Sequence, residues 1–134
     1  MIAFGEKAGV NFDPEELELA QAFKAYGLEW TPSVGHYVLD QSRLIECDSP
    51  FQDRVFFILD LKHFLRRSET IECLKDRVCW LPTWEQAREL LRSEGVPAHV
   101  ITEKLTSSQA LEHGTERLEL YRLIEDLVTG NLEY

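Results

Sequence analysis

Lys62, His63, Arg66 and Arg67 crowd four nitrogen-bearing side chains into one short stretch. On a helix, His63, Arg66 and Arg67 fall at i, i+3 and i+4 and share a face. Such a face can hold an oxyanion, because guanidinium forks donate paired hydrogen bonds to carboxylate or phosphate. The plainer use is ion pairing with the acidic ends of the chain. A second cluster is Trp80-Leu81-Pro82-Thr83-Trp84, where two tryptophans straddle a breaker at a helix start. The unpaired N–H groups of a helix start attract anions. Indoles beside them can stack a planar ligand or anchor a partner, or simply fill the core.

Other chemistries find little to work with. Cys73 and Cys79, with His36 and His63, supply metal-ligating atoms. Structural zinc sites, however, pair ligands about two to four residues apart. No metal is expected, and both cysteines read as small core residues. Cys79 with His63 or His99 has the atoms of a thiol–imidazole pair but no local nucleophile signature. No serine lies in a Gly-x-Ser-x-Gly elbow. The seven glycines are dispersed, and no glycine-rich loop joins a strand to a helix, so no nucleotide cofactor is expected. The carboxylates of Glu15-Glu16-Glu18 and Glu125-Asp126 read as solvated helix faces.

The charge layout sharpens this picture. Fourteen Lys and Arg stand against 24 Asp and Glu, a net charge of −10 over 134 residues. That balance disfavours phosphate backbones, so no nucleic-acid partner is expected. The deficit sits at the ends. Between residues 54 and 92, eight basic residues outnumber six acidic ones. The hydrophobic fraction of 44% and charged fraction of 28% exclude a disordered tail, a collagen-like chain and a disulfide scaffold. The longest apolar run, Val55 to Leu59, is far below the roughly 20 residues of a membrane span, so no membrane partner is expected. Three irregularly spaced cysteines and no basic-then-apolar leader point to a reducing, cytoplasmic setting.

The elements that must carry these residues can be read from breakers and periodicity. Asp13-Pro14-Glu15-Glu16 starts a helix. Leu19, Ala22, Phe23 and Tyr26 form its buried stripe, and Gly27 stops it. The runs 36–40 and 43–47, either side of Gln41-Ser42, suggest a β-hairpin. Ser49-Pro50-Phe51-Gln52 reads as a capping box and favours a helix from Pro50 toward Arg67. The run Val55 to Leu59 supports the alternative, a strand and then a short helix. A short helix capped by Ser68 follows, then a strand over 78–81. Thr83 caps an amphipathic helix with Trp84, Ala87, Leu90 and Leu91 on one side, closed by Gly95. After an irregular stretch, a helical piece spans 109–112. Thr115 starts a last helix with Leu120, Leu123, Ile124, Leu127 and Val128 in its stripe, closed by Gly130.

The sum is a helix-rich α+β fold with four to five helices and a small antiparallel β element. It is expected to be a single globular domain over 1–134, with 1–12 and 131–134 loosely ordered. With no catalytic constellation and many apolar stripes, the leading expectation is a non-catalytic protein-interaction or self-associating module. The alternative is a protein or enzyme binding a small anionic or planar ligand, with a pocket near Trp80, Trp84 and the His63, Arg66, Arg67 patch.

Overall fold

The computed structural model describes residues 11–47, 49 and 52–132. The elements run α1 (Pro14–Ala25), β1 (Tyr37–Leu39), β2 (Val55–Phe57), α2 (Leu61–Ser68), α3 (Ile71–Arg77), β3 (Cys79–Leu81), α4 (Trp84–Ser93), α5 (Ala98–Ser107), α6 (Ala110–His113) and α7 (Glu116–Val128). The fold is α+β, as the sequence implies. Its seven helices among the described residues exceed the four to five expected. The residues gather into two compact units. One holds the described part of Met1–Leu17 together with Glu29–Leu81, the other that of Glu18–Leu28 and Pro82–Tyr134.

The first unit is built on the sheet, ordered β2-β1-β3 and antiparallel throughout. Val38 at its centre stands opposite Phe56 on one side and Trp80 on the other. Alternation therefore sends these three to one face and Tyr37 and Phe57 to the other. On the first face Val38 and Phe56 join Leu44, Ile45, Ile58, Phe64, Leu74 and Val78 in one core cluster. On the second, the Tyr37 ring meets Phe57 at 4.8 Å and Phe12 at 5.6 Å. Phe12 is fully buried, and its carbonyl accepts from Gln52 Nε2 at 2.6 Å.

Three sequence expectations fail in this unit, each for a physical reason. The hairpin of 36–40 with 43–47 does not form. Gln41-Ser42 suits no tight hairpin turn, since neither residue takes positive φ cheaply. Instead the chain turns around the buried Asp40 carboxylate, which accepts from Leu44 N (2.9 Å) and Ile45 N (2.8 Å). Arg54 Nη2 closes the clasp at 2.6 Å from Asp40 Oδ2. The long helix toward Arg67 is replaced by the alternative, β2 followed by α2. Gln52 is committed to Phe12, and Asp60 caps α2 by accepting from Lys62 N at 2.9 Å. Pro50 and Phe51 lie outside the described residues. Farther on, Thr70 rather than Ser68 caps α3, accepting from Cys73 N at 3.1 Å. Ser68 has turned inward to the Phe64 carbonyl.

Helix α1 starts as its sequence dictates, with Asp13 Oδ1 accepting from Glu15 N (2.9 Å) and Glu16 Oε1 from Asp13 N (2.7 Å). In the second unit its buried side is Leu19, Ala20 and Phe23, while Tyr26 is exposed. The expected stripe is thus rotated, because Tyr26 lies past the last helical residue, where Gly27 turns the chain at φ 79°. Helix α4 carries the full capping box, Thr83 with Gln86, and packs on α7. From α7 come Leu120, Tyr121, Leu123 and Ile124, all buried. Each of the three aliphatic side chains contributes about 1.5–3 kcal/mol on burial. The stretch expected to be irregular is helix α5. At the end of α7, Asn131 N and Leu132 N both donate to the Asp126 carbonyl, at 2.8 and 3.1 Å.

Candidate functional site

Helix α2 presents the basic face because its caps fix its register. Asp60 closes one end; at the other, Glu69 takes a left-handed φ of 71° and its N–H returns to the Leu65 carbonyl. Phe64 and Ser68 then fall on the buried side, leaving Lys62, His63, Arg66 and Arg67 exposed. Arg66 and Arg67 occupy the last turn, the negative end of the helix dipole, which favours bases there without neutralising them.

These side chains border an open recess of about 570 Å³. Three segments line it: Arg43, Leu44 and Glu46 from the turn after β1, His63, Arg66 and Arg67 from α2, and Arg77 from the last turn of α3. The Asp40 clasp sets the first of these, and Arg43 within it takes a left-handed φ of 58°. Arg77 Nε donates to Ser42 Oγ at 3.0 Å, and Ser42 Oγ donates back to the Arg77 carbonyl at 3.0 Å. Arg67 Nη1 donates to the His63 carbonyl at 3.2 Å and lies 3.4 Å from His63 Nε2.

Among the described residues, Arg43, Arg66, Arg67 and Arg77 form no ion pair. Arg54, Lys75, Arg92, Lys104 and Arg122, by contrast, each pair with a carboxylate. Sequence spacing finds His63, Arg66 and Arg67. It misses Arg43 and Arg77, which no local pattern joins to α2; only the folded turn and the end of α3 bring them in.

The tryptophans sit elsewhere. Trp80 stacks on Trp30, with ring centroids 5.7 Å apart and planes 6° from parallel, and His36 lies 5.3 Å from Trp80. Trp84 opens α4 and borders a surface depression with Glu85, Arg88, Glu89 and Arg92. Cys79 is buried, with its Sγ donating to Gln41 Oε1 at 3.1 Å. Cys73 is exposed on α3 rather than in the core, because Leu74 takes the inward position.

His36 carries a measurable consequence. Burial in the aromatic cluster lowers its pKa below the ordinary histidine value. The unfolded chain therefore takes up the imidazole proton first as pH falls. The stability this gives is complete above about pH 6.5. It is lost as pH drops from there through the lowered folded value. Urea unfolding of the native chain should thus weaken between about pH 7 and pH 5 more than that of His36→Phe. Parallel declines in the two proteins would exclude His36 as the cause.

Among the described residues, no group of three His, Cys, Asp or Glu side chains is placed to hold a metal ion. No described helix is long and apolar enough to cross a membrane. No family model, curated protein or solved structure matches the chain.

Proposed function

We propose that this protein is a non-catalytic binding module whose recess, bordered by Arg43, His63, Arg66, Arg67 and Arg77, takes an anionic ligand. The observation that carries this reading is the set of four guanidiniums that, among the described residues, have no carboxylate partner in a chain of net charge −10. Carboxylates are abundant, so pairing was available, and each unpaired arginine keeps most of its five donors for an incoming oxyanion. The residue types favour holding over reacting, because a guanidinium does not give up its proton. The apolar stripes that favoured a protein-docking surface are largely spent on the two cores. Among the described residues, the large apolar side chains left exposed are Tyr26, Val34, Leu59 and Leu111.

The test is an NMR titration with sodium phosphate at constant ionic strength. Amide shifts should concentrate at residues 42–46, 61–68 and 77. The double variant Arg66→Ala, Arg67→Ala should weaken binding by about tenfold or more, since each charge-assisted hydrogen bond is worth about 1.5–3 kcal/mol. Shifts scattered over the surface, or unchanged affinity in the variant, would remove this reading.

A further inference from the structure

We infer that the ligand of this recess is a chain of linked phosphates, an oligophosphate, and not a nucleotide or a single oxyanion. The inference rests on the anion-binding reading above and goes further by naming the class.

Charge comes first. Four arginines against Glu46 give the lining a formal charge of +3, leaving His63 aside. A phosphate monoester carries about −1.5 to −2 near neutral pH, which leaves part of that charge unanswered. Phosphates in series match it.

Size and layout agree. The recess, about 570 Å³, falls in the roughly 300–1,000 Å³ range of small-molecule sites, larger than one tetrahedral ion needs. The guanidiniums come from three separate segments around the recess, which suits a ligand offering more than one phosphoryl group. Two are already restrained, Arg77 by Ser42 and Arg67 by the His63 carbonyl. That restraint reduces the ordering cost on binding. Arg43 and Arg66 keep all their donors.

The lining also argues against a nucleoside. Leu44 is the one apolar residue among the described ones that line it, and is itself buried. Among the described residues no Trp, Tyr or Phe borders the recess, and base recognition leans on such rings for stacking. Trp30 and Trp80 are stacked on each other, and Trp84 borders a different depression.

The experiment is calorimetry at fixed ionic strength without divalent cations, using phosphate, pyrophosphate, tripolyphosphate and ATP as probes. Tripolyphosphate should bind about tenfold or more tighter than phosphate, with pyrophosphate between. ATP should bind no tighter than tripolyphosphate. Arg43→Ala and Arg77→Ala, both exposed positions, should each weaken tripolyphosphate more than phosphate. Equal affinity for phosphate and tripolyphosphate would overturn the oligophosphate assignment while leaving the anion site standing. ATP binding about tenfold tighter than tripolyphosphate would overturn it in favour of a nucleotide. Binding of none of the four would remove both readings.

Discussion

Replacing Asp40 by alanine should destabilise the protein by about 3–5 kcal/mol, the range for breaking a buried ion pair from one side. Asp40 has no exposed surface. Its two oxygens accept from Leu44 N, Ile45 N and Arg54 Nη2 at 2.9, 2.8 and 2.6 Å. Alanine leaves two buried N–H groups without an acceptor and the Arg54 guanidinium, only 11% exposed, without its counter-charge. Small domains hold about 5–15 kcal/mol in total, so the variant should sit near the edge of folding. Urea unfolding measures the loss. Pairing the change with Arg54→Ala should cost clearly less than the two single changes added together, because each orphans the other. Strict additivity, or a loss under about 1 kcal/mol for Asp40→Ala, would show that the clasp is not what holds this turn. The same clasp sets the turn bearing Arg43, so any folded Asp40 variant should also bind anions more weakly.

Tyr121 should give the second large effect, in the other unit. Its ring has no exposed surface, lies 5.5 Å from Phe23, and its hydroxyl donates to the Pro82 carbonyl at 2.6 Å. Tyr121→Ala should cost about 3–5 kcal/mol through lost burial and the cavity left behind. Tyr121→Phe keeps the ring and should cost about 1–3 kcal/mol, because the Pro82 carbonyl loses its donor inside the protein. Thermal unfolding of both variants separates the contributions. A Phe variant as stable as the native chain would mean that the hydrogen bond adds nothing net.

Elements that announce themselves locally were readable from sequence. Asp13-Pro14 and Thr83 with Gln86 satisfy helix starts with neighbouring side chains, so α1 and α4 could be placed by residue type alone. Helix α5 could not. Pro97 precedes it with no side-chain cap, and none of its residues is buried, so it lacks both a start signal and a full apolar stripe. The partners of β1 were also hidden. Adjacency favoured the run 43–47, yet Leu39 pairs with Val55 and Cys79, distant in sequence. What excluded the nearer partner was the Asp40–Arg54 clasp, a three-dimensional arrangement without a local pattern. The site divides the same way. His63, Arg66 and Arg67 follow from helical spacing, whereas Arg43 and Arg77 join them only through the turn and the end of α3.

The sheet places its one fully paired strand, β1, in the middle and leaves three-residue strands at both margins. An unpaired margin is a template on which another chain can stack, and that hazard grows with its length and flatness. Margins this short offer a stray chain too few rungs to hold. Strand length alone thereby guards the sheet against amyloid-like growth.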